Sequence, residues 1–146
     1  MKKIYFACSI SGGRDHAHVY EDIVNNIKAS GMHVLSEIFA DKAIKPHEGP
    51  TKKLTPHEIW EWDLKWVQEA DAIIAEVTQP SFGVGYEIAK AEQWHKPVLV
   101  LFYKDSGRRL SPMIVGDPNV TVFEYSDAAE TKPAIKKFLK NLEQKP

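Results

Sequence analysis

The stretch "DAIIAEVTQPSFGVGYEIAKAEQWHKPVLVLFY", Asp71 to Tyr103, decides the fold. "DAIIAEV" is a short apolar run and reads as a strand. "GVGYEIAKAEQWH" reads as a helix. "KPVLVLFY" is continuously apolar, as expected of a strand covered on both faces. Strand, helix and strand in that order form the repeating unit of a parallel sheet. The connection "TQPSFGVG" is rich in turn-formers and runs into Glu87, expected in the first turn of the helix.

The same alternation extends in both directions. Upstream, "KKIYFACSI" is a buried strand and "SGGRDHAH" breaks it. "AHVYEDIVNNIKASG" spaces Val19, Ile23 and Ile27 as a helix does and stops at Gly31. "HVLSEIF" reads as a second strand, and "ADKAIKPHEGPTKK" as a loop. "TPHEIWEWDLKWVQEAD" is a well-signed helix. Thr55 and Glu58 form a capping box, with Pro56 at the first helical position. Downstream of Tyr103, "DSGRRLSPMIVGDP" is a loop, "NVTVFEY" a fifth strand and "DAAETKPAIKKFLKNLEQ" a closing helix with a lysine-rich, solvated face. The expected fold is α/β, doubly wound: a five-stranded, mainly parallel sheet with helices on both faces, Rossmann- or flavodoxin-like. Ligands of such sheets bind outside the carboxyl ends of the strands, which points to the loops "SISGGR" and "TQPSFGVG".

Bulk composition narrows the function classes. The 146 residues suit a single domain, 1–146. At 43% hydrophobic and 27% charged residues, the chain is globular rather than disordered. A formal net charge of -1 gives no global field to recruit nucleic acid or an anionic membrane, so an anionic ligand must be held by local groups. No stretch is long enough to span a bilayer. The first apolar run is too brief for a signal segment. The single cysteine, Cys8, fits a reducing compartment. These features are those of a cytoplasmic protein, with a nuclear location also open in a eukaryote.

Two acids stand out. Projected at about 100° per residue, the helix from Thr55 to Ala70 places Glu58, Glu61, Lys65, Gln68 and Glu69 on a polar face. Ile59, Trp66, Val67 and Ala70 lie opposite, and Asp63 falls among them as the one charge on that stripe. A buried carboxylate needs a partner or a purpose. It is either a structural group capping a loop or a functional acid. Glu87 has a bland explanation, since the helix dipole favours a first-turn acid. The same dipole would keep it ionised, as a nucleophile requires. The glycine loops offer Ser9, Ser11, Arg14, Ser81 and amides around Gly12, Gly13 and Gly83, which suit a phosphate and suit plain turns equally well. Neither loop is a complete nucleotide-binding fingerprint. The histidines show no metal spacing, and Cys8 reads as packing beside the first loop.

"YFACSISGGR", "WDLKWVQEADAIIAEVTQPSFGVGYE" and "SGRRLSPMI" together resemble the 2'-deoxynucleoside 5'-phosphate N-hydrolases of the Rcl type, within the nucleoside 2-deoxyribosyltransferase superfamily. The resemblance runs from about Lys3 to Tyr125. It implies hydrolysis of the N-glycosidic bond of a deoxynucleoside monophosphate to free base and 2-deoxyribose 5-phosphate. By position it makes Glu87 the nucleophile, Asp63 the second acid and Tyr5 the tyrosine beside the reacting centre. It also implies a substrate and phosphate site at Cys8, Ser9, Ile10, Ser11, Gly12, Gly13, Arg14, Tyr20, Ser81, Gly83, Ser111 and Met113. Ser111 would reach the neighbouring subunit's site, which implies a homodimer. Two positions depart from the family: Ser11 stands where it carries an arginine, and Ile38 where close relatives carry a histidine.

The implied chemistry needs no metal or other cofactor. Charge grows on C1' as the bond to the base breaks, and a carboxylate at Glu87 can capture it covalently. Asp63, with a raised pKa, would serve the leaving base and then the water. By analogy with retaining glycosidases the two carboxyls should lie about 5 Å apart. Base exchange by a deoxyribosyltransferase, a ribonucleotide N-glycosidase acting on CMP, and a non-catalytic nucleotide sensor remain the alternatives.

Overall fold

A computed structural model describes residues 1–10, 13–45 and 51–144. The expected positions Ser11 and Gly12 lie outside the described residues. Five strands, β1 (Lys3–Ala7), β2 (His33–Val34), β3 (Ala72–Glu76), β4 (Val98–Tyr103) and β5 (Val120–Tyr125), form one all-parallel sheet in the order β2-β1-β3-β4-β5. The helices are α1 (Tyr20–Ala29), α2 (Pro56–Glu69), α3 (Phe82–Gln93), the short α4 (Pro112–Val115) and α5 (Thr131–Glu143).

Strand periodicity sorts the core into two halves. Ile4 and Phe6 of β1, Ala72 and Ile74 of β3, and Leu99 and Leu101 of β4 pack with Ile23 and Ile27 of α1 and Ile135 and Leu139 of α5. Tyr5 and Ala7, Ile73 and Ala75, and Val98 and Val100 face the other way, onto Val67 and Ala70 beside α2 and Val84 and Ile88 of α3. Tyr5 is therefore placed, by alternation alone, on the α2/α3 side of the sheet.

Three boundaries differ from the sequence expectation, each for a local reason. The second strand is only two residues long. Leu35 still donates to the Ile4 carbonyl, but the Ser36 hydroxyl then accepts from the Phe6 amide at 2.9 Å and donates to the Phe6 carbonyl at 2.8 Å. One side chain thus satisfies both groups that a longer strand would have paired, and residues Glu37–Ala40 turn into a 3-10 helix. Second, the loop after β4 contains α4, with Pro112 in its first turn and the Ser111 hydroxyl accepting from the Met113 amide at 3.2 Å. Third, α3 begins at Phe82, because the Ser81 hydroxyl caps it by accepting from the Val84 amide at 3.3 Å. Glu87 consequently sits in the second turn of α3 and not the first.

The capping box of α2 is present as read, with Thr55 and Glu58 bonded reciprocally.

Candidate active site

Asp63 and Glu87 come from different helices and meet on the α2/α3 side of the sheet, with Tyr5 beneath them. Asp63 lies on the inward stripe of α2, between the buried Leu64 and Val67 on one side and solvent on the other. Its Oδ1 is buried and has no hydrogen-bond partner among the described residues. A buried acceptor left without a partner is costly to the fold. Burial pushes the Asp63 carboxyl up to about 6.

Glu87 is pushed further, to about 8, first by burial and then by the negative charge of Asp63, while a hydrogen bond from Tyr5 works in the opposite direction. The helix dipole was expected to hold Glu87 ionised. It does not: burial favours the protonated form, and Glu87 lies past the first turn, where the dipole acts most strongly. With Asp63 at about 6 from burial and Glu87 at about 8 from burial and the Asp63 charge, the two carboxyls hold one proton between them near neutral pH. Tyr5 completes the group. Its hydroxyl is buried and held well above the usual tyrosine range by burial, then by the charges of Glu87 and Asp63, so it stays a donor.

The loop after β1 lies against the loop after β3. Gly13 has φ +123°, and a Cβ there would stand 2.7 Å from the Gln79 Nε2. Glycine is needed at this point for the backbone conformation. Gly83 is different, since a Cβ there would meet only the Ser81 hydroxyl at 3.8 Å. Ser9 is wholly buried, and its hydroxyl has no hydrogen-bond partner among the described residues. Ile10 is partly buried against the α1/α5 core.

Arg14 is turned inward. It donates to the carbonyls of Ser9 (3.1 Å), Phe39 (3.0 Å), Asp41 (2.7 Å) and Ile44 (3.2 Å), and its guanidinium lies 5.1 Å from the centre of the buried Tyr20 ring. Here it ties the first loop to the segment after β2. Cys8 lies beside it, with its thiol pushed up to about 12 by burial, which makes it a packing group and not a nucleophile. Ser111 and Met113 stand on the exposed α4, and Ile38 is partly exposed on the 3-10 turn.

The sequence reading missed Glu76, His16, Tyr125 and Arg108, which meet at the same edge of the sheet. Glu76 is wholly buried at the end of β3. Its signal was visible: it is the only charge inside the apolar run "AIIAEV". A separate cavity of about 690 Å³ lies at the opposite, amino edge of the strands, lined by His95, Pro97, Asn119 and Phe138 among others. It contains none of the acids described above.

The protein is an α/β domain with an all-parallel five-stranded sheet, and two neighbouring carboxyls stand beside a tyrosine on one of its faces. The chain belongs to the nucleoside 2-deoxyribosyltransferase family, whose model matches residues 4–135. It is 44% identical over 127 residues to a 5-hydroxymethyl-dUMP N-hydrolase of Rattus norvegicus, covering 87% of this chain and 77% of that one. It is 38% identical over 141 residues to the protein of the same name from Tetraodon nigroviridis, covering 95% and 98%. The fold is shared with a CMP N-glycosidase of Clostridium botulinum, with a TM-score of 0.65 at 20% identity and coverage of 92% and 98%.

Proposed function

We propose that the protein is an N-glycosidase that hydrolyses 2'-deoxynucleoside 5'-monophosphates to free base and 2-deoxyribose 5-phosphate. The observation that carries this reading is the coupled pair Asp63 and Glu87 beside Tyr5, in a chain whose relatives are named N-hydrolases of a deoxynucleotide.

In the resting pair the shared proton sits mainly on Glu87; in the reactive arrangement it has moved to Asp63 and leaves Glu87 ionised. A Glu87 oxygen attacks C1' as the C1'–N bond breaks, and the bonding pair leaves with the base. Asp63 protonates the base. Water then attacks C1' of the glycosyl ester, Asp63 takes its proton, and Glu87 is released as carboxylate. The Tyr5 hydroxyl stabilises the ionised Glu87 on both sides of the cycle.

The 5'-phosphate is read as lying between the β1–α1 loop, with Ser9, Ile10, Ser11, Gly12 and Gly13, and the amino end of α3, with Ser81 and Gly83. The buried Ser9 hydroxyl, without a hydrogen-bond partner among the described residues, supports this placement. Arg14 and Tyr20 frame that loop from behind. A homodimer is proposed as well, through the exposed side chains Phe82, Tyr86, Met113 and Val115, with Ser111 entering the neighbour's phosphate site. Among the described residues no helix is long and apolar enough to cross a membrane, and a cytoplasmic enzyme remains our reading.

A panel of nucleoside and deoxynucleoside monophosphates, 5-hydroxymethyl-dUMP included, tests the proposal by chromatography of the released base. No base from any deoxynucleotide overturns it. The family's description favours a second reading, base exchange. A labelled free base added to the same reaction distinguishes the two, since transfer yields a new labelled nucleotide.

A further inference from the structure

Glu76 faces the α1/α5 side of the sheet, away from the catalytic acids, yet at the same carboxyl edge. Three hydrogen-bond donors converge on it, with an imidazole alongside. The Thr78 amide donates to Oε1 at 2.6 Å and the Thr78 hydroxyl to Oε2 at 3.0 Å. The Tyr125 hydroxyl donates to Oε2, and the His16 Nε2 lies 3.3 Å from the same oxygen. His16 is neutral near pH 7, because burial and then the charges of His18 and Arg108 push its imidazole down to about 4. Its Nε2 also lies 2.6 Å from the Tyr125 hydroxyl. The Thr78 oxygen in turn accepts from the Tyr103 amide at 2.9 Å.

The network reaches three loops. His16 and Asp15 directly follow Arg14 in the β1–α1 loop. Thr78 shares the β3–α3 loop with Ser81. Arg108, in the segment leading to Ser111, donates to the Thr78 carbonyl at 3.3 Å and pairs with Asp15 at 3.2 Å. An apolar residue at position 76 would pack as Ala72 and Ile74 do, and would avoid the cost of burying a carboxylate. What only the carboxylate supplies is a fixed spacing between loops that are otherwise joined through separate strands.

We propose that Glu76 is a positioning residue for the substrate's 5'-phosphate, holding the β1–α1 and β3–α3 loops at the separation the phosphate requires, with Arg108 adding the β4–α4 loop to the same frame. This rests on the reading above that these loops hold the phosphate. Glu76 touches neither the reacting carbon nor Asp63 and Glu87, so its loss should appear in binding of the phosphate and not in the bond-breaking step.

The test is steady-state kinetics of the full chain and of Glu76→Gln on a deoxynucleoside monophosphate and on the matching deoxynucleoside. Gln keeps the shape and sets an amide N–H2 against donors that the carboxylate accepted. The expected result is a KM for the monophosphate raised about 10-fold or more, a kcat within about 3-fold, and a matching fall in preference for the phosphorylated substrate. Tyr125→Phe removes one donor and should raise the same KM by a smaller factor. Arg108→Ala acts at a partly exposed side chain and should also raise it, so the inference stays testable if Glu76→Gln melts. A fall in kcat with KM and phosphate preference unchanged in these variants overturns the inference. Equal use of both substrates by the unmodified enzyme overturns the phosphate reading itself, and this inference with it. A preference that all three variants keep overturns only the role of Glu76.

Discussion

The charge of Asp63, carried by α2, raises the proton affinity of Glu87, carried by α3. That coupling shapes the pH dependence of the enzyme. With carboxyls at about 6 and about 8, the pair holds one proton between those values. Below about 6 both are protonated and the nucleophile is lost. Above about 8 both are ionised and the acid is lost. We expect a bell-shaped profile of kcat/KM with its maximum between these limits, measured by base release across pH 4.5 to 9.5. A flat profile through pH 6 to 9 would remove the pair from the mechanism.

Glu87→Ala should reduce base release by about 10³-fold or more, since the proposed mechanism makes Glu87 the group that bonds C1'. Circular dichroism should show the fold retained, because Glu87 is not part of the apolar core. Activity undiminished in a folded variant would sink the nucleophile assignment.

The same carboxyl burdens the fold. Its folded value is above the unfolded one of 4.5, so the folded chain binds more protons between pH 4.5 and about 8. Stability from this group is therefore full below pH 4.5 and is lost as pH rises through about 8. Glu87→Gln should relieve this loss. We expect the variant to exceed the parent in stability at pH 8.5 by about 1–3 kcal/mol, discounted for the partial exposure of the residue, and to match it near pH 4.5. Urea titrations at the two pH values measure it. A variant equally advantaged at both would show that packing, not charge, sets the difference.

The sheet was legible in the sequence because its signals are local. Continuous apolar runs, a T-x-x-E cap and Gly31 after a helix each act through neighbouring residues. Asp63 was legible for the same reason, as a charge on an apolar stripe. Glu87 was found, but its protonation was not, since Asp63 is distant in sequence and the helix start depends on which hydroxyl caps it. The short β2 rests on the Ser36 hydroxyl reaching Phe6 across the sheet. The Arg14 carbonyl contacts and the Glu76 hub also join segments far apart in the chain. No window of sequence contains them, although the lone acid in "AIIAEV" marked one end.

Gly13→Ala should fail in a specific way. The residue adopts φ +123°, and its Cβ would press on the Gln79 side chain at 2.7 Å. Strain of about 1–3 kcal/mol falls on the loop read as the phosphate site. Differential scanning calorimetry should show a lowered Tm, and KM should rise more than kcat falls. The corresponding Gly83→Ala, whose Cβ would meet only the Ser81 hydroxyl at 3.8 Å, should leave Tm within about 2 °C.

Tyr5 separates a chemical role from a packing one. Its hydroxyl lowers the proton affinity of Glu87. Tyr5→Phe keeps the ring in the α2/α3 core and removes only that hydrogen bond. Glu87 should then hold its proton more tightly, so a smaller share of enzyme carries an ionised Glu87 and a protonated Asp63. We expect kcat to fall by roughly 10-fold and the alkaline limb of the pH profile to move to higher pH. A ring that served packing alone would give a lower Tm with both limbs in place. Recording the profile and the melting curve on one preparation decides between these outcomes, because only loss of the hydroxyl's hydrogen bond to Glu87 shifts the limb.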